Sequence, residues 1–376
     1  MAVYLGNLAT STIFSFCYSK AHDKSAQIVF LVSCFMSLFI PAAVRYGIGA
    51  DFFSYMNIYH HYEIDRANFN IEPFMVAIIK ILVFLKLPAQ SLFVVYAFLT
   101  NFFMFLAIPK DRFYMAIPVY VLVFYLETYC VLRQILGCII MFYAVRLFLE
   151  GKTRKSLIWC VVAFLNHKSL IITIAILFLS QLIPYVSAKR KFLFFMVYMI
   201  FLYLFSSAIL QFIFEKVLGN TSYAVYAVNA FSTKETEINS GMGVLLRLLI
   251  LSVFAFMIDK VNLSKKEYKL SVALLFAYTL FYFLNIKMYI FARLIVAIYF
   301  CIIMFFIDVA KSFSKCRKIA LTFLFICYGL FFVMGIKNAT VYVDNVANGR
   351  QINPYATVWN YHDNAIIVRR AHNWGF

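Results

Sequence analysis

The sequence predicts an all-α protein that crosses a membrane about twelve times, within roughly 11–14, and three observations carry that expectation. Of 376 residues, 64% are hydrophobic and only 13% charged, where a soluble domain runs nearer half apolar and a quarter charged. The apolar residues come in runs long enough, or nearly so, to cross roughly 30 Å of hydrocarbon. The basic residues gather in short gaps between those runs, as the positive-inside preference requires. With a mean hydropathy of +0.86, lipid is the solvent for most of the chain. A soluble enzyme, a disordered chain and a nucleic-acid binder are excluded, and the net charge of +18 becomes a question of distribution across loops.

The runs lie near 3–18, 26–44, 89–108, 113–128, 131–149, 156–166, 168–184, 192–214, 243–258, 270–284, 290–310 and 319–335. The first has no basic segment ahead of it and reads as a signal anchor rather than a cleaved leader. Six clusters, beginning at Lys20, Lys110, Lys152, Lys189, Lys260 and Lys311, hold 18 of the 34 basic residues. Clusters on one side must be separated by an even number of crossings. Between Lys24 and Lys110 there are three apolar segments, so one does not cross. The weakest is 73–87, which is short, carries Lys80 and Lys86 and is bounded by Pro73 and Pro88; it reads as an interfacial or re-entrant helix on the outer face.

Residues 1–376 then form a single transmembrane domain with its larger loops on the outer side: 45–88 with its helix, 215–242 and the tail 336–376. The eight cysteines show no C-x-x-C spacing and imply neither a metal cage nor a disulfide framework. No clustered His, Cys and Asp ligand set appears on the outer face, so no metal and no cofactor is expected.

Four arginines are not explained by the inner loops. Arg45 opens a string with Gly47, Gly49 and Asp51, in which glycines two apart permit a sharp turn or close backbone approach. Arg133 starts the 131–149 run beside Gln134, with Glu127 as one candidate partner. Arg247 lies just inside the run that begins near 243, and Arg293 follows Asn285 and Tyr289 at helical spacing. Each could snorkel to the interface, yet all four fall at a similar depth on the side where the positive-inside rule gives no reason for them. Guanidinium binds phosphate bidentately without changing charge state, so a shared phosphate or pyrophosphate ligand is the sharper reading. Asp51 and Glu72 supply carboxylates on the same face, and His167 sits in a polar knot with Asn166, Lys168 and Ser169. Sugar transfer needs a base for an acceptor hydroxyl and positive charge for a departing pyrophosphate, and both ingredients are present.

The string from Arg45 to Tyr55, then Glu72-Pro73-Phe74, Leu132-Arg133-Gln134, His167-Lys168-Ser169 and a late Arg293 resembles the EpsG-like branch of Wzy polysaccharide polymerases. The likeness covers about 40 to 300. It implies a GT-C type glycosyltransferase of the bacterial inner membrane that joins lipid-linked repeat units at the periplasmic face, transferring a growing O-antigen or exopolysaccharide chain from undecaprenyl pyrophosphate to the terminal hydroxyl of the next repeat. The motif positions fall on Arg45, Tyr46, Gly49, Asp51, Tyr55, Glu72, Arg133, Gln134, His167 and Ser169. The chain departs from the pattern at Ala50 and Lys168.

On that resemblance His167, Asp51, Glu72, Arg133 and Arg293 are the expected catalytic residues. Arg45, Arg247, Gln134, Tyr55, Tyr289 and Lys168 are expected to bind substrate. Partners are undecaprenyl-pyrophosphate-linked oligosaccharides and membrane lipids, with a chain-length regulator and a flippase as protein neighbours. The rival readings are a lipid-linked oligosaccharide flippase and an O-antigen ligase. A transporter would spread its charges along a path to both leaflets and often shows internal repeats, and neither is visible here. The aromatic tail could cover the site and stack on sugars, or anchor at the interface.

Overall fold

A computed structural model describes residues 1–64, 71–182, 188–218, 241–312, 314–341 and 350–376. Among them every regular element is helical, and β pairing is confined to two isolated bridges. In chain order the helices begin with α1 (Ala2–Lys20), α2 (Lys24–Val44), α3 (Phe52–Glu63), α4 (Pro73–Phe84), α5 (Gln90–Ala107), α6 (Phe113–Tyr120), α7 (Leu132–Leu149) and α8 (Thr153–Asn166). They continue with α9 (Ile171–Leu179), α10 (Ala188–Phe212), α11 (Met242–Ile258), α12 (Lys265–Lys287), α13 (Ala292–Ala297), α14 (Cys301–Lys311), α15 (Arg317–Asn338) and α16 (Ala365–Asn373). Most of the expected outer loop 215–242 lies outside the described residues.

By length and composition six helices qualify as membrane spans: α2, α5, α7, Lys191–Phe212 of α10, α12 and α15. Tyr289–Ala297 and Cys301–Lys311, bent by 51°, make a seventh if they count as one. A helix also stands at each of the other expected runs, but α6, α8, α9 and α11 are short and α1 is rich in Ser, Thr and Asn. Helix α4 has 12 residues, about 18 Å at 1.5 Å per residue, too short to cross.

The sequence reading takes the chain as one transmembrane domain; its contacts cluster into two compact units, Met1–Lys168 with Tyr328–Phe376 (unit 1) and Ser169–Cys327 (unit 2). Unit 1 is built on α7, the most enclosed of its spans, with α5 and α8 against it and α1 and α2 packed as a pair. The serine and threonine hydroxyls of α1 bond within the helix, Ser11 and Thr12 donating to the carbonyls of Asn7 and Leu8 at 2.6 and 2.5 Å, the local solution for hydroxyls without water. The break between α6 and α7 is a π-helical turn, Val121–Tyr125, followed by a 3-10 turn, Glu127–Tyr129. Its tyrosines reach outward, Tyr125 donating to the Leu38 carbonyl at 2.7 Å. Helix direction alternates from α1 to α2 and from α5 through α8. The starts of α1, α5 and α7 therefore share one end with the finishes of α2 and α8, and Lys20, Lys24, Lys110 and Lys152 lie at the other.

Unit 2 has its own charged framework. Lys191 pairs with Asp259 and lies 4.3 Å from the Tyr268 ring centroid. Ser271 donates to buried Asp308 at 2.9 Å, and Ser264 and Glu267 form a capping box at the start of α12. Helix α12 stops where Met288 turns extended. The sequence predicts 285, 289 and 293 on one helical face, but the break separates them: Asn285 lies in the last turn of α12, Tyr289 starts a 3-10 turn and Arg293 lies in α13.

Candidate active site

After α2 the backbone extends through Arg45 and turns at Gly47 (φ 64°) and Gly49 (φ 103°). The two glycines approach the protein's own chain. A Cβ on Gly49 would stand 1.9 Å from the Tyr129 carbonyl oxygen, and one on Gly47 would meet the Ile367 side chain at 2.6 Å. The turn is pinned by the C-terminal tail. Tyr46 N–H donates to Ala356 O, Gly49 N–H to Gln351 O and Val358 N–H to Val44 O, each at 3.0 Å. Arg370, buried, donates from Nη1 to Gly47 O at 2.5 Å and from Nη2 to Gly49 O at 3.1 Å. Burial pushes its guanidinium down to about 10, so it stays charged at neutral pH. Tyr361 stacks on Tyr46 with ring centroids 3.9 Å apart.

Arg45, 1% exposed, belongs to this framework. It donates to the carbonyls of Ala42 (3.2 Å) and Thr128 (3.4 Å) and lies 4.6 and 5.3 Å from the ring centroids of Tyr129 and Phe93. A guanidinium so enclosed braces the end of α2.

Asp51 starts α3, which carries Tyr55 one turn later, and Tyr55 N–H donates to Asp51 O at 3.0 Å. Glu72 is extended (ψ 144°) and precedes Pro73 at the first position of α4. Proline fixes that start, and the helix N-terminus favours the adjacent carboxylate. The Glu72 side chain does not cap its own helix; it pairs with Arg133 in the first turn of α7. His167 closes α8 in an extended conformation (φ −160°) and places Nε2 3.8 Å from Glu72 Oε1. Three residues separated widely in sequence thus meet at one end of unit 1, with side chains 11% (Glu72), 18% (His167) and 25% (Arg133) exposed.

The Arg133 guanidinium carbon also lies 5.9 Å from the Tyr55 ring centroid. Burial pushes the Tyr55 phenol up to about 12, against the pull of Arg133, so Tyr55 is a neutral donor at physiological pH. The hydroxyl of Tyr96, on α5, lies within electrostatic reach of Tyr55, Arg133 and Glu72 and has no hydrogen-bond partner among the described residues. Nothing in the apolar run around Tyr96 distinguishes it in the sequence. Gln134, 4% exposed, is the next residue of α7, and Lys168 is exposed beyond His167.

The sequence names Glu127 as one partner for Arg133. The structure gives Arg133 to Glu72 and pairs Glu127 with Arg350. Of the other expected residues, Arg247, Arg293 and Tyr289 lie in unit 2. Arg247 donates to the Tyr278 hydroxyl at 3.0 Å; Arg293 and Tyr289 are exposed. Among the described residues no group of three His, Cys, Asp or Glu could hold a metal ion.

An acid, a guanidinium and an imidazole thus gather at one end of an all-helical unit in a chain with the composition of a membrane protein. Residues 28–357 match the EpsG family, and the chain belongs to that family. Membership carries a membrane polysaccharide-polymerase type of function, of the glycosyltransferase kind. No curated protein and no solved structure matches the chain.

Proposed function

We propose that this protein polymerises an O-antigen or exopolysaccharide, moving the growing glycan from undecaprenyl pyrophosphate to the terminal hydroxyl of a lipid-linked repeat unit. The observation that carries the reading is the Arg133–Glu72–His167 cluster at the end of unit 1 away from Lys20, Lys110 and Lys152. In this reading that end faces the periplasm, the chain crosses the bacterial inner membrane twelve times, and the fold is of the GT-C type.

The acceptor oxygen bonds to the anomeric carbon as the bond from that carbon to pyrophosphate oxygen breaks. The acceptor proton passes to His167, whose imidazole Glu72 orients, while Arg133 holds the departing pyrophosphate and Tyr55 donates beside it. Asp51 is the alternative base. Arg45, Arg247, Arg293, Gln134, Tyr289 and Lys168 keep their roles in substrate binding or leaving-group stabilisation on the sequence pattern alone. Guanidinium supplies the positive charge, so the reaction is metal-independent; a chain-length regulator and a flippase are the protein partners.

The test is purified full-length protein with a synthetic lipid-linked repeat unit, product length being read with and without chelator. Polymer in both conditions is the expected result. Lipid translocation without polymer would assign a flippase, and transfer only to a lipid A core acceptor would assign a ligase.

A further inference from the structure

We propose that the end of unit 1 remote from Glu72 holds a binding site for the phosphate of an anionic glycerophospholipid headgroup. A cavity of about 660 Å³ lies where α1 ends and the segment after α5 begins. Its cations are Lys20 and Lys110, both exposed, and Tyr18, Tyr114 and Gln27 line it with them. Asp111, also on its wall, has its carboxylate 3.0 Å from Arg112 Nε. That acid is answered locally, and the two lysines leave the cavity net positive.

The remaining wall says what the ligand is attached to. Phe16 is 52% exposed and Tyr114 39% exposed, and in a chain of this composition exposed rings at a helix end face the interfacial layer of the bilayer. An occupant matching both walls carries an anion beside an apolar body. Basic pockets between helix ends suit phospholipid headgroups for that reason. Lysines that served topology alone would need no cleft between them. The inference rests on membrane insertion of α1 and α2, not on the proposed sugar transfer, so its failure leaves that reading standing.

The test incorporates full-length protein into nanodiscs of phosphatidylglycerol and phosphatidylcholine and counts co-purifying lipids by native mass spectrometry. Wild type is expected to retain phosphatidylglycerol selectively. Lys20→Gln with Lys110→Gln should weaken that binding roughly thirty-fold. Lys20→Arg with Lys110→Arg should preserve it, as should Lys80→Gln with Lys86→Gln on α4 and the turn after it. Should the glutamine variant fail to fold, Asp111→Asn, which frees Arg112 charge at the cavity, should raise retention. Equal retention of the two lipids, undiminished binding in a folded glutamine variant, or no rise with Asp111→Asn would overturn the proposal. Displacement of the lipid by equimolar glycerol phosphate would overturn it too, by assigning a site for the free anion.

Discussion

Arg133 and Glu72, 61 residues apart in sequence, are joined as an ion pair at the mouth of unit 1. Withdrawing two charges from water costs several kcal/mol, which mutual attraction repays only in good geometry. Here the pair is flanked on both sides, with the Tyr55 ring beside the arginine and His167 facing the carboxylate. The Arg133 Nε is buried without a hydrogen-bond partner among the described residues, so the ion pair does not exhaust the guanidinium. Partly enclosed charges with spare hydrogen-bonding capacity are characteristic of working sites.

Replacing Arg133 with Ala is expected to stop chain growth, so that single repeat units accumulate while the protein still inserts. Glu72→Gln should do the same. In thermal unfolding the two substitutions should be non-additive, with a coupling of roughly 0.5–3 kcal/mol. Simple additivity in a double-mutant cycle would break the pairing, and long polymer from either variant would remove the site.

His167→Gln keeps the size of the side chain and removes the base. The rate of polymer formation should fall by roughly 10²- to 10⁴-fold, with the amount of protein in the membrane unchanged. A variant as fast as wild type would transfer the proton to Asp51.

Much of this was legible beforehand, and the limits are physical. Periodicity and sidedness marked the helices because lipid demands long apolar runs, and Glu72, Arg133 and His167 stood out because charge is rare among them. The partner of Arg133 was not legible: Glu127 is six residues away, whereas Glu72 arrives only when α4 packs beside α8. The enclosure of Arg45 by backbone carbonyls and aromatic rings was not legible either, because neither forms a sequence pattern. Tyr96 looks like any core aromatic, and Arg370 lies in a tail without periodicity. The expected helical alignment of 285, 289 and 293 failed at one extended residue, Met288.

Gly49→Ala should prevent stable accumulation of the protein. The added carbon would lie 1.9 Å from a backbone oxygen at φ 103°, and neither the carbonyl nor the turn can give way cheaply. Gly151→Ala, also at positive φ but in open space, should cost only about 1–2 kcal/mol. Thermal stability in detergent compares the two, and equal losses would refute the close approach.

Arg370→Ala removes both donors from the Gly47 and Gly49 carbonyls, and each unpaired buried carbonyl costs about 1–3 kcal/mol. Polymerisation should be lost with insertion retained. Arg370→Lys should recover little, because an ammonium cannot span two carbonyls as a planar fork does. Full activity in the alanine variant would show that the strap is dispensable.

Tyr55 provides a test against pH. Its raised phenol favours the neutral form in the fold, so the contribution to stability is present below about pH 10 and lost as pH rises toward about 12. Tyr55→Phe should slow the reaction without changing the shape of the pH–rate profile below about pH 9. Disappearance of a limb in that range would assign the titration to Tyr55 after all.

The strap on the Gly47–Gly49 turn also sets an order of events. Residues 351–376 are translated after everything they fasten, and unit 1 is interrupted by the whole of unit 2 before its own last pieces emerge. A chain halted partway through insertion would carry Glu72, Arg133 and His167 in the membrane with the neighbouring turn unfastened. On the proposed function, a product truncated before residue 351 lacks that fastening and is expected to be inactive.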